Sequence, residues 1–365
     1  MRIEGGSAYI SVTGNQFSGE YSTGIFSFEQ GCPNLLVQGN EFDSMTAAIQ
    51  LQSGNGAPGV QIIGNTISNV FAFGIFLDSH YGAAVKNNTI SAPGTTASYF
   101  AGIYIFLDNS TGTEVSGNVV SPVAGTALKT SYSSNFLIFN NFFHSTTASG
   151  SVVNLDVGNT GNNVFAFNSV FTNASGSTAF VSNQPQLTLK NNVLSSINGK
   201  ALNLQEQPLS SNYNDLYSGS TTLGTYLGTD CSDLAAWQAA SSGDANSISE
   251  EAIFSDGDPH STQPLLDGTG TPVAGILLDI DNEPRHASTP DIGADEFSCS
   301  PSSFYADADG DTYGDANESV VTCFAPPGYV SNSTDCNDSN PAIHPGAPET
   351  CNGVDDDCSG SPEAI

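Results

Sequence analysis

Basic residues are almost missing from this 365-residue chain. Six are Lys or Arg against 37 Asp or Glu, a formal net charge of -31, and no Arg stands between Arg2 and Arg285. Such a chain repels nucleic-acid phosphates and anionic membrane surfaces, so neither is expected as a partner. Apolar runs long enough to span a membrane are lacking, and the opening Met-Arg-Ile-Glu-Gly-Gly has no apolar centre of the kind an export signal carries. Glycine-rich phosphate loops, a Ser–His–Asp set and zinc-type His clusters are also missing. What remains is a surface of Ser, Thr, Asn, Gln and Gly, which suits neutral partners such as extracellular or cell-surface glycans.

What is plentiful is a repeated Asn. It follows Gly14, Gly39, Gly64, Asn87, Gly117, Asn140, Phe167 and Asn191, and from Asn15 onward the steps are 25, 25, 23, 30, 23, 27 and 24 residues. Each pair sits between two short apolar alternations, as in Val60-Gln61-Ile62-Ile63 before Gly64-Asn65 and Thr66-Ile67-Ser68 after it. A period in the twenties built of short strands predicts an all-β fold, a right-handed parallel β-helix. The Asn is expected to take the left-handed turn conformation and to bond the Asn of the next coil, about 4.8 Å away. A second recurring element, Gly24-Ile25-Phe26, Ala48-Ile49-Gln50, Gly74-Ile75-Phe76 and Gly102-Ile103-Tyr104, predicts a turn at the small residue and an inward Ile.

The chain divides into three. Residues 1–206 are the regular coils. Residues 207–298 lose the period and hold the last rungs and a cap, with a short helix expected from Ser232 as N-cap. Residues 299–365 carry twelve of the acidic residues, five of the seven Cys and no basic residue, too little apolar sequence for a core. The beginning falls inside a coil, so the chain reads as a fragment of a longer secreted protein.

Within the coils, one position after an apolar residue holds Glu29, Gln52, Asp78, Asp108, Lys129, Asp156 and Gln205. If these form a column about 5 Å apart, Asp78, Asp108, Lys129 and Asp156 are the candidate catalytic residues of a polysaccharide lyase or glycosidase. His80, Tyr104, Tyr132 and His144 would line the same groove. The plainer reading is an outward polar column. Gly257-Asp258-Pro259-His260 is similar to the D-P-H string of alginate epimerases, but it lies outside the regular coils and is set aside.

Asp307-Ala308-Asp309-Gly310-Asp311-Thr312-Tyr313-Gly314-Asp315, with Glu318 eleven residues after Asp307, has carboxylates at alternate positions of a Gly-bearing loop. That pattern suits a hard cation, and calcium is expected on Asp307, Asp309, Asp311, Tyr313, Asp315 and Glu318. The Gly stands at the fourth position rather than the sixth, so the likeness to an EF-hand loop is one of ligand spacing only. For the cysteines, Cys323/Cys336 and Cys351/Cys358 are the simplest pairs, although spacing alone leaves connectivity open.

Two resemblances add to this. Asp279-Ile280-Asp281-Asn282-Glu283-Pro284-Arg285 through Pro290-Asp291-Ile292-Gly293-Ala294-Asp295-Glu296-Phe297 resembles the C-terminal segment of bacterial secreted right-handed β-helix proteins. It implies a closing cap with Arg285 paired to a carboxylate. Phe304-Tyr305-Ala306-Asp307, Asp335-Cys336-Asn337-Asp338 and Cys351-Asn352-Gly353-Val354-Asp355-Asp356-Asp357-Cys358 resemble the MopE-type metal-binding motif of secreted proteins. That implies a small disulfide-bonded, extracellular, calcium-dependent unit. The leading expectation is therefore a structural or adhesive extracellular protein that binds carbohydrate, with the lyase or glycosidase as the alternative.

Overall fold

The computed structural model describes residues 1–3, 9–28, 32–94, 100–107, 112–146, 150–157, 161–254, 258–297, 302–322 and 325–360. Two compact units are present, Met1–Phe297 and Ser298–Ile365.

The first unit is a parallel β-solenoid of about eight turns. Its three sheets run along the stack: one of eleven strands starting at Arg2–Ile3, one of nine from Ser11–Thr13 to Ser210–Asn212, and one of nine from Gln16–Ser18 to Asp215–Ser218. Parallel register puts like on like, so Ile25, Ile49, Ile75, Ile103, Leu128, Val153, Phe180 and Leu202 form one inward row of the first sheet. Val37, Ile62, Val85, Val115 and Ile138 form the matching row of the second. All of these residues are buried in one continuous core. Short alternating strands can fill such a core because each coil needs only one or two apolar residues per sheet, and the neighbouring coil covers their edges.

The Asn ladder is present, with its chemistry shared between two residues rather than one. Asn118 Nδ2 donates to Asn141 Oδ1 at 2.9 Å, and Asn141 Nδ2 to Asn168 Oδ1 at 2.9 Å. The same oxygens accept the backbone N–H groups of the preceding Asn, at 3.0 Å for Asn118 and 3.1 Å for Asn141. The left-handed residue is the one before: Gly39, Gly64, Asn87, Gly117, Asn140, Phe167 and Asn191 all have φ between 53° and 65°. The turn strain thus falls on a residue that is Gly or Asn at every one of these corners but Phe167, which leaves the ladder Asn free to aim its amide inward.

The small residue of the Gly-Ile-Phe element also differs from expectation. Gly102 lies inside the strand Ala101–Phe106, and a Cβ there would meet Val120 Cγ1 at 2.5 Å and the Ala127 carbonyl at 2.7 Å. It marks a close approach of sheets, not a turn. The Ile beside it points inward as expected.

The C-terminal end of the stack is closed by the helix Leu234–Ser241, whose N-cap is Asp233 rather than Ser232; its Oδ1 accepts from Ala236 N at 2.8 Å. Trp237 of this helix is fully buried against Tyr226, and its Nε1 donates to Asp244 Oδ2 at 2.9 Å. Residues 250–254 and 258–297 do not close the end. They run along the side of the stack as a strap, because the outward faces there are apolar and need cover. Phe254 packs on Phe142 and Phe171, Ile276 on Ala166 and Phe167, and Leu266 and Ile292 on Val193. Arg285 fastens the strap: its guanidinium donates to Glu296 Oε2, Asn140 Oδ1 and the Gly293 and Ala294 carbonyls at 2.8–3.2 Å.

The second unit has a small antiparallel sheet, Ser302–Ala306 with Ser319–Thr322 and Tyr329–Val330. Among its described residues the only buried apolar side chains are Ala306, Ile343 and Ala347. Burial of that size cannot offset chain entropy by itself. A disulfide joins Cys336 to Cys358. Neither expected cysteine pair is compatible with that bond, because the chain folds back over the intervening residues and brings sequence-distant cysteines together. Cys323 and Cys299 lie outside the described residues.

Candidate functional site

In the second unit the loop after Ala306 is folded by its own carboxylates. Asp307 Oδ1 accepts from Gly310 N at 2.8 Å and Asp311 N at 3.1 Å, while Asp307 Oδ2 accepts from Thr312 N at 3.1 Å. Asp309 Oδ1 caps Asp311 N, and Asp311 Oδ1 caps Tyr313 N. This turn chemistry draws carboxylate oxygens of Asp307, Asp309 and Asp311 within 4.8 Å of one another. Asp309 also groups with Asp335 and Asp338 inside the same limit. Those two arrive from the segment beside Cys336, which is tied to the loop by a bridge between Asp315 and Asp335 and by the Ala308 N–H bond to Asp338 Oδ1.

Asp309 Oδ2, Asp311 Oδ2 and Asp335 Oδ2 have neither solvent access nor a hydrogen-bond donor. Burial, and then the like charges of Asp311, Asp335 and Asp338, push the Asp309 carboxyl above its usual range, against a bond from the Asp311 N–H. Dry, unpartnered carboxylate oxygens crowded together are what a hard cation relieves, so this donor set fits a metal. Glu349, Asp355 and Asp357 form a second cluster, in which Glu349 Oε2 is likewise dry and unpartnered.

The expected ligand set is therefore only partly assembled. Asp307, Asp309 and Asp311 come together. Asp315 spends Oδ1 on Asn317, and the Tyr313 ring stacks on His344 at 5.1 Å. Glu318 is exposed and belongs to neither cluster; its N–H is used on Asp315 and its carbonyl on Ala306. Asp335 and Asp338, not Glu318, group with Asp309. Sequence reasoning passed over them because they come from another segment, although the Asp335-Cys336-Asn337-Asp338 string is itself an acidic pair at turn spacing.

On the solenoid, the supposed column is broken. Asp78 lies between Gln52 and Phe106, and Phe106 beside Ser131. Lys129 is two residues out of that register, aligned with Tyr104 and Asn154. Alignment on the preceding apolar residue failed because each strand has two inward positions: Leu77 pairs with Ile105, whereas Leu128 pairs with Ile103. Asp156 Oδ1 accepts from Val157 N at 2.8 Å, and Asp78 Oδ1 from Ser79 Oγ at 2.9 Å. Asp108 and Glu29 lie outside the described residues. His80 and His144 are buried and do not line a groove. A bulge between Asp78 and His80 turns the His80 side chain inward, where burial pushes its pKa down to about 4.

Residues 1–118 match the family described as "Right handed beta helix region", and residues 335–363 match the Cu-binding MopE family, described as "Putative metal-binding motif". No curated protein and no solved structure matches the chain. The molecule is thus a right-handed parallel β-helix protein with a C-terminal metal-binding motif.

Proposed function

We propose that this is an extracellular β-helix protein with a structural or adhesive role that binds carbohydrate, and that its C-terminal unit is ordered by calcium. The observation that carries the calcium part of this reading is the trio of dry, unpartnered oxygens on Asp309, Asp311 and Asp335. All-carboxylate donors favour a hard cation such as calcium over copper, which prefers imidazole and sulfur ligands. His344, the one imidazole of this unit, is engaged with the Tyr313 ring and the Pro345 carbonyl. The Cys336–Cys358 bond and the near absence of a core suit an oxidising compartment. A strongly acidic chain binds neutral glycans with less electrostatic penalty than polyuronates, so cleavage of a polyuronate through Asp78, Lys129 or Asp156 has less behind it.

Limited proteolysis of the intact chain, with disulfides kept, tests the calcium reading. Calcium should protect residues 302–360, and chelator should expose them. Protection by copper and not by calcium would replace the proposed metal.

A further inference from the structure

The outward columns of the first sheet carry an aromatic row that the core does not need. Register aligns Gln50, Phe76, Tyr104, Lys129 and Asn154 in one column, and Gln52, Asp78, Phe106 and Ser131 in the next. Inward neighbours Ile75, Leu77, Ile103 and Ile105 already fill the interior beneath them. The rings run continuously: Phe76 to Tyr104 at 5.2 Å, Tyr104 to Phe106 at 5.9 Å, and Phe106 to Tyr132 at 5.8 Å. Lys129 Nζ is held 5.0 Å from the Tyr104 ring centre, a cation over an aromatic face. Cover grades along the row, from Phe76 at 8% exposed to Tyr132 at 55%. Farther along, the same column becomes Asn154, Val181, Asn203 and Thr225, so the aromatic surface is local.

We propose that this face, from Phe76 to Tyr132, is the binding platform for an extended, uncharged glycan lying along the solenoid axis. The proposal rests on the reading that the solenoid binds carbohydrate, and it names where. Three features select that occupant. The partly exposed rings of Tyr104 and Phe106 and the exposed ring of Tyr132 can stack on the apolar face of a pyranose ring, while the amides of Gln50, Gln52 and Asn154, with Asp78 and Lys129, offer donors and acceptors to its hydroxyls. The rungs repeat about every 4.8 Å, close to the rise of one sugar in an extended chain, so successive sugars of a linear glycan can meet successive rungs. The chain's -31 charge disfavours a polyanion.

The test uses the full chain and isothermal titration against soluble β-glucan, xylan and mannan oligomers, with oligogalacturonate as the anionic probe. The variants are Phe106→Ala and Tyr132→Asn; Asn suits the left-handed backbone of Tyr132 at φ 54°. Tyr21→Asn is the control, at a ring 89% exposed, also left-handed at φ 58° and no part of the row. A neutral oligomer should bind, each row variant should weaken it by about tenfold, and the control should leave it unchanged. Neutral binding that survives both row variants would overturn the platform and leave the carbohydrate reading standing. No binding to any neutral oligomer would overturn both. Self-association lost in Tyr132→Asn, without glycan binding, would reassign the face to a second copy of the chain.

Discussion

The guanidinium of Arg285 lies 4.0 Å above the ring of Phe167, a corner residue held at φ 53°. Bulky residues seldom accept that backbone conformation, and here the ring is buried beneath a cation that also bonds Glu296, Asn140 and two carbonyls. The corners on either side, Asn140 and Asn191, bond the strap as well, through the Leu278 and Thr271 carbonyls. Three successive corners that depart from Gly are thus where the strap docks.

Replacing Arg285 by Leu should therefore release the strap. Asn140 Oδ1 and two buried carbonyls would lose their donor, a cost of about 3 kcal/mol or more. Hydrogen exchange should speed up in residues 258–297 and stay slow in the strands around Ile49 and Ile75. Uniform protection in the variant would show that Arg285 is dispensable.

The ladder predicts a gradient. Asn118→Leu removes acceptors from Asn88 and donors to Val85, Ser116 and Asn141, all buried, and should cost about 1–3 kcal/mol. Asn15→Leu, at the exposed end, should cost less. Equal midpoints in denaturant for both variants would mean that the amide stack adds nothing to stability.

Two histidines predict opposite responses to pH. His260 sits between Asp258 and Asp281, its Nε2 2.6 Å from Asp281 Oδ2. Burial opposes its charge, but the bonds from Asp281 and Asp258 outweigh that and push its pKa up to about 9. A raised pKa stabilises the fold fully below about 6.5, and that contribution fades as pH rises through about 9. His80, pushed down to about 4, contributes above about 6.5 and loses its contribution as pH falls through about 4. The strap should loosen first on the alkaline side and the stack on the acid side. His260→Gln should flatten the alkaline limb only, as followed by thermal melts from acid to alkaline pH.

If the acidic centre is composite, Asp335→Asn should weaken calcium at least tenfold, while Glu318→Gln leaves affinity unchanged. Calorimetry on the intact chain decides this. The reverse order would restore a ligand set confined to the 307–318 loop.

The fold was legible because a solenoid repeats. Each coil solves the same problem, so the Asn period, the inward Ile row and the stack direction could be read locally from spacing. Residue roles inside a coil were less legible: each strand has two inward positions, and Leu128 takes the one paired with Ile103 while Leu77 takes the one paired with Ile105, so Lys129 falls out of line with Asp78. The acidic loop's own turn bonds were foreseeable from Asp307, Asp309 and Asp311. Which carboxylates complete their cluster was decided by tertiary structure, because Asp335 and Asp338 reach it only when a second segment pairs alongside. The same holds for Cys336 and Cys358, and for the strap, whose course is set by apolar outward faces such as Phe142 and Phe171 that no local pattern assigns to a partner.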